Sequence, residues 1–204
     1  MGTDQVFETI SNLKKNRFNV EFFQTCEDGI KYILDLIPKK STIGFGGSVT
    51  VKESGLLDAL IKDDYILNHR DLLPDVPKPD LYKKMHNSDW YISSTNALTK
   101  TGCLVNIDGR GNRVAAMLDG PKNLVIITGT NKLVDSIEDG ISRTRNVATP
   151  KNCVRLNKKT PCAIVGHCCN CNSEETICNA TVIQHHPMNG KNVYIVLIDK
   201  NLGY

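Results

Sequence analysis

The stretch Ser41-Thr42-Ile43-Gly44-Phe45-Gly46-Gly47-Ser48-Val49-Thr50 decides how the chain is read. Ser41 to Phe45 has the composition of a short strand and the glycines mark a tight turn. From Thr50 to Lys62 the apolar residues Val51, Leu56, Leu57, Leu60 and Ile61 return at helical spacing. Strand, glycine turn and helix in that order predict an α/β sheet with crossover helices on its faces. The turn would aim backbone N–H groups and the hydroxyls of Ser48 and Thr50 at a guest, and a phosphate or carboxylate is the natural one. It has neither the lysine of a P-loop nor the spacing of the dinucleotide fingerprint. Gly46, Gly47, Ser48 and Thr50 are therefore read as binding residues for a small anion, although a capped tight turn alone accounts for the same pattern. Glu53 suits the first turn of a helix electrostatically; with a ligand at Gly47 it would also be placed to act as a general base.

Upstream, Val6, Ile10 and Leu13 predict an amphipathic helix over Thr3 to Asn16, capped by Thr3 or Asp4. A strand over Phe18 to Thr25 and a helix over Glu27 to Ile37, stopped by Pro38, follow. Downstream, a proline-marked loop precedes a short helix near Leu81 to His86. Strands are then expected at Trp90–Ser94, Cys103–Ile107, Val114–Leu118 and Leu124–Thr128, the second and third joined as a hairpin by Asp108-Gly109-Arg110-Gly111-Asn112. A helix from Leu133 to Asn146 closes this core. Asn96, Thr99, Asp108, Asn112 and Arg113 crowd two loops that follow strands, a frequent location for sites in open α/β sheets; Asp108 and Arg113 are the catalytic candidates there, Asn96 and Thr99 the binding ones. After Thr149-Pro150 the sequence turns to turns and cysteines, with further strands at Ala180–His185 and Val193–Ile198. The organisation expected is an α/β domain over 1–150 and a cysteine-rich, metal-binding segment with closing strands over 151–204.

Hydrophobic residues at 40% and charged residues at 23% fit a globular chain and exclude a disordered one. The formal charge of +3 is spread out, and the basic run from Lys151 to Lys159 has no interleaved aromatics, so no nucleic-acid partner is expected. No apolar stretch approaches the roughly 18 residues of a membrane span, and no basic-then-apolar leader opens the sequence, which predicts a cytosolic protein without a membrane.

Of the eight cysteines, Cys26, Cys103 and Cys153 are scattered, whereas Cys162, Cys168, Cys169, Cys171 and Cys178 cluster. Without Cys169 the spacing is C-x5-C-x2-C-x6-C, which gives Cys162, Cys168, Cys171 and Cys178 as metal ligands. Four thiolates hold either a [4Fe–4S] cluster or tetrahedral zinc. A compact run with no second, distant C-x2-C pair favours the cluster over a zinc ribbon. The flanking Gly166, His167, Asn170, Asn172 and Ser173 are polar or turn-forming, unlike the surroundings of inert buried thiols. Cys169 can stand in for Cys168, and a histidine ligand from His167, His185 or His186 is not required.

Gly46-Gly47-Ser48-Val49-Thr50, Ser94-Thr95-Asn96-Ala97-Leu98-Thr99, Asn106-Ile107-Asp108-Gly109, Gly111-Asn112-Arg113-Val114-Ala115-Ala116, Gly129-Thr130-Asn131-Lys132 and Thr160-Pro161-Cys162, in this order, closely resemble the lactate utilization (LUD) domain family. The resemblance runs from about Ser41 to the C-terminal cysteines. It implies a sheet similar to that of the ribose-5-phosphate isomerase and CoA-transferase superfamily, a link to lactate oxidation, a partner oxidoreductase, and compatibility with a homodimer. Relatives often carry acidic residues where this chain has Lys100 and Cys103, so no acid/base role is taken from those positions. Three functions compete on these grounds. The first is an iron–sulfur protein assisting oxidation of lactate or another small organic acid. The second is a non-redox isomerase, lyase or transferase acting on a small anionic metabolite. The third is a binding protein whose metal only staples the C-terminal segment.

Overall fold

In the computed structural model, which describes residues 3–204, the elements follow in the order α1 (Thr3–Lys15), β1 (Asn19–Phe23), α2 (Cys26–Leu36), β2 (Thr42–Phe45), α3 (Val49–Glu53), α4 (Leu56–Ile61), β3 (Ile66–Asn68), α5 (Lys78–His86), β4 (Trp90–Ser93), β5 (Ala97–Thr99) and β6 (Leu104–Asp108). The chain continues through α6 (Asn112–Asp119), β7 (Asn123–Gly129), a 3-10 turn at Thr130–Lys132, β8 (Leu133–Val134), α7 (Ile137–Arg143), a π-helical turn at Thr144–Ala148, α8 (Thr149–Arg155), α9 (Pro161–Val165), β9 (Ala180–Gln184) and β10 (Asn192–Ile198). The side chains of Thr3 and Asp4, expected as helix caps, lie outside the described residues.

Six strands form a wholly parallel sheet in the order β1-β10-β7-β4-β2-β3. A second sheet, β8-β5-β6-β9, is mixed, with β6 antiparallel to both neighbours. Alternation along the parallel strands sends side chains to two cores. Leu124 and Ile126 of β7, with Ile195 and Leu197 of β10, pack against Val6 and Leu13 of α1, Met85 of α5 and Met117 of α6. Val125 and Ile127, with Val196 and Ile198, pack against Ile33 of α2, Val51 of α3 and Leu60 of α4. A parallel sheet covered on both faces needs near-continuous apolar strands, which is what Leu124–Ile127 and Val193–Ile198 supply. The α/β class with crossover helices expected from the glycine turn is the architecture present.

Four expectations are corrected. The helix over Thr50 to Lys62 is split, because Gly55 takes φ +82° and caps α4, a left-handed conformation that only glycine adopts at little cost. Val114–Leu118 is helix rather than strand: Val114 and Met117, three apart, share the buried face of α6, and a short apolar run reads alike in either period. The turn at Asp108–Asn112 thus joins a strand to a helix and makes no hairpin. The helix expected from Leu133 begins at Ile137, where Ser136 and Asp139 form a capping box, while Leu133 and Val134 pair with β5.

Nor does the helical path stop at Thr149-Pro150. Pro150 falls in the first turn of α8, and the π-helical turn before it gives the wider backbone that a proline ring demands of the preceding turn. The 151–204 segment is not spatially apart from the rest: β10 lies between β1 and β7, and β9 pairs with β6. Among the described residues no helix is long and apolar enough to cross a membrane.

Candidate functional site

The carboxyl ends of β2, β4 and β7 are adjacent in the sheet, and each delivers a polar residue to one place. Thr50 follows β2, Ser94 and Thr95 follow β4, and Lys132 follows β7. The Lys132 Nζ donates to Thr50 Oγ1 at 2.7 Å, to Ser94 Oγ at 3.0 Å and to the Thr95 carbonyl at 3.2 Å. Its side chain is only 3% exposed. No carboxylate among the described residues lies within ion-pair distance of it. Burial pulls its pKa down to about 7; Arg143 and Arg113 push the same way and Glu53 opposes them. A lysine so placed is half neutral near physiological pH, and therefore both a base and a nucleophile.

These residues line a cavity of about 550 Å³, the size of a small-molecule site. Its wall includes Gly47, Ser48, Thr50, Asn96, Asp108, Asn112 and Arg113, together with the cations Arg70, Arg110, Arg155 and Lys158. Among the described residues the one acidic side chain on the wall, Asp108, is ion-paired: its Oδ2 is 3.3 Å from Arg113 Nε, and its Oδ1 accepts from the Gly111 N–H. The charge balance of the wall is thus strongly positive, which favours an anionic occupant.

Arg113, expected as catalytic, is held on all sides. Its Nη1 donates to the Ser94 carbonyl and to Asn106 Oδ1 (3.1 and 2.6 Å), and its Nη2 donates to Asn96 Oδ1 and to the Ile107 carbonyl (3.1 Å each). Asn96 in turn accepts from the Ile107 N–H and, through its own carbonyl, from Arg143. Arg113 and Asn96 therefore lock the loops after β4 and β6 into one rigid wall. Arg70, by contrast, makes no hydrogen bond or ion pair among the described residues, and its guanidinium lies beside the Gly47 turn.

The remaining expected residues divide. Gly46 lies behind the wall, where a Cβ would come within 2.6 Å of Ser93 Oγ and 3.1 Å of Arg113 Cγ. Ser48 caps α3 by accepting from the Val51 N–H. Glu53 accepts from the Gly203 N–H and is not on the cavity wall. Thr99 is wholly buried within the β5–β6 turn, accepting from the Cys103 N–H, and is likewise off the wall. The sequence reading missed Lys132, Ser94 and Arg70 as site residues. For Lys132 the signal was available: a lysine three residues beyond the apolar strand Leu124–Gly129, in a turn at the edge where such sheets bind ligands.

A second hollow, of about 230 Å³, is lined by Cys162, Cys168, Cys171 and Cys178, and also by Cys153 and Cys169. Cys153, scattered in sequence, reaches it because α8 packs against α9: its Sγ is 3.8 Å from that of Cys162. Cys178 Sγ lies 3.6 Å from Thr149 Oγ1, and the Asn170 N–H donates to Cys168 Sγ at 3.4 Å. Burial pushes the Cys153 thiol up to about 11 and raises that of Cys178. None of the histidines lines the hollow; His185 lies against Cys103 and His186 against the Asn16 carbonyl. Among the described residues no three His, Cys, Asp or Glu side chains converge as the ligands of a single ion do. The donor set does suit a larger, thiolate-held group. Arg145 lines the hollow with its Nε buried and without a partner, a donor that the sulfurs of a negatively charged cluster would satisfy. Thr149, Thr176 and Ile177 line both the hollow and the cavity, so one wall separates them.

No curated protein is significantly similar to the chain. A crystal structure of a DUF162 family protein from Deinococcus radiodurans shares the fold with a TM-score of 0.56 at 10% identity, over 96% of this chain and 96% of that one. At that identity the likeness concerns the fold alone. The family model described as the LUD domain matches residues 6–198, nearly the whole chain. The chain therefore belongs to the LUD domain family and is related to lactate utilization proteins.

Proposed function

We propose that the chain binds a small carboxylate or phosphorylated metabolite in the Lys132 cavity and assists its conversion with a [4Fe–4S] cluster held in the adjoining cysteine hollow. The observation that carries the reading is the shared wall: a cationic cavity with a near-neutral lysine at its base lies one side-chain layer from six thiols. Arg70 and the rim cations Arg110, Arg155 and Lys158 attract and orient the anion. Lys132 accepts a proton from the substrate or returns one, with the Thr50 and Ser94 hydroxyls fixing its direction. Arg113 and Asn96 keep the wall rigid, and the burial of Lys132 keeps water from competing for the proton. Cys162, Cys168, Cys171 and Cys178 would hold the cluster, which supplies electron transfer when bound.

The non-redox alternative, an isomerase, lyase or transferase, is favoured by one observation: Lys132 can carry acid/base chemistry without the hollow. Zinc in place of the cluster has less support, since the thiols do not converge on one point. Anaerobic purification with iron, sulfide and zinc analysis separates these readings. About four irons and four sulfides per chain are expected, and stoichiometric zinc without acid-labile sulfide overturns the cluster. Anion binding is tested by thermal shift with lactate, pyruvate and phosphate. Stabilisation by at least one of them, lost in Arg70→Ala, is expected; none by any of the three overturns the cavity assignment.

A further inference from the structure

Resting on the assignment of the cavity as an anion site, we infer that Lys132 is the nucleophile that forms an imine with the carbonyl carbon of a small 2-oxo acid. Three features of the site converge on this chemistry. The amine lies on the cavity wall, is almost fully buried, and has no carboxylate partner among the described residues to hold it as an ammonium ion. Its neighbours Thr50 and Ser94 present hydroxyls at 2.7 and 3.0 Å, groups that can relay a proton to and from an oxygen formed beside the nitrogen. Arg70 stands uncommitted on the same wall, available to a carboxylate next to the carbonyl.

The step balances without a further reactant. The neutral amine adds to the carbonyl carbon, and the former carbonyl oxygen takes up a proton to give a carbinolamine. That oxygen then leaves as water, carrying both hydrogens of the original amine, as the carbon–nitrogen double bond forms. Protonation of the imine makes it an electron sink for the bonds at the adjacent carbon, which is the use such lysines serve in covalent catalysis. A proton-relay role for Lys132 needs no carbonyl in the ligand; the imine requires one, and this is what separates the two.

The test uses the full-length protein with pyruvate, glyoxylate and 2-oxobutyrate as probes, lactate as the carbonyl-free control, and borohydride to reduce any imine to a stable amine. Intact mass and peptide mapping then locate the adduct. One reduced adduct per chain, on the peptide carrying Lys132 and absent from those carrying exposed lysines such as Lys39, is the expected result with at least one 2-oxo acid. Lys132→Arg, which keeps the charge, should abolish it while retaining the wild-type circular dichroism. Because the wild-type peptide map locates the bond directly, the result stands even if the variant folds poorly. Adducts spread evenly over surface lysines overturn the proposal. So does the absence of any adduct on Lys132 with all three probes. In that case, thermal stabilisation by the same 2-oxo acids leaves the anion site standing and removes only the imine, whereas no stabilisation by any of them removes both.

Discussion

Lys132 is fully charged in the unfolded chain at neutral pH, but burial holds its folded-state pKa near 7. Folding at pH 7 and below therefore either expels a proton or buries a charge among Arg113 and Arg143, with only Glu53 opposing. Since the unfolded state binds the extra proton between about pH 7 and the ordinary lysine value, the penalty is full below pH 7 and fades as pH rises toward 10. The unfolding free energy of the wild type should thus gain on that of Lys132→Met as pH is raised over this window in urea titrations. A constant gap would show that Lys132 titrates alike in both states. Burial lowers the pKa of Arg113 as well, but there the buried guanidinium has a counter-charge in Asp108. Asp108→Ala should cost on the order of 3 kcal/mol, because it leaves a buried charge unpaired. At this scale the sequence was half legible. Asp108, Arg113, Asn96 and Thr50 were visible as polar residues after strands, but whether each faces a ligand or braces a loop depends on hydrogen bonds between loops. Those hydrogen bonds made braces of Arg113 and Asn96. The position of Lys132 in the turn after an apolar strand was visible, but its burial was not, because one lysine in a turn has no local signature of burial.

The glycine turn after β2 was the most legible element, since strand, turn and helix each announce themselves locally. What stayed hidden was its tertiary contact. Gly46→Ala would drive a Cβ toward Ser93 Oγ and Arg113 Cγ, an overpacking expected to cost about 1–3 kcal/mol. The cavity wall should be displaced with it, so ligand-induced stabilisation should fall together with the melting temperature. Helix α6 was misread because Val114 to Leu118 is too short for its period to decide, and helix α7 because its capping box begins at Ser136, three residues beyond the first apolar residue, Leu133. The π-helical turn has a consequence for the proposed cluster, since it presents Arg145 to the cysteine hollow. In the loaded protein, Arg145→Gln should lower the reduction potential, because the lost cation favoured the more negative, reduced form. Redox titration followed by electron paramagnetic resonance reads the shift, and an unchanged potential would place Arg145 outside the cluster's field.

At the scale of the molecule, the two cores are built from the parallel sheet, helices α1 to α6 and, on one side, Leu98, Leu104 and Leu133 of the second sheet, and the cysteine hollow lies outside both. Cys178→Ser should therefore strip iron and sulfide from the anaerobic protein and open residues 160–179 to proteolysis, yet leave the far-ultraviolet circular dichroism of the core in place. Loss of the whole fold would show that the segment is integral to it. The division of the sequence at residue 150 was drawn from composition, which registers cysteines and turns but not strand order. Strand order has a temporal side. β1 meets the sheet only through β10, and β10 is made after the cysteines. During synthesis the facing edge of β1 stays unpaired while residues 24–191 are added and that of β7 while residues 130–191 are added, and the slot closes only when residues 192–198 slide between them. Contacts so distant in sequence form slowly and leave sticky edges exposed in the meantime. The growing chain thus carries open strand edges until β10 arrives, and β10 follows every thiol of the hollow in sequence, so the cysteines exist before the sheet beside them is whole.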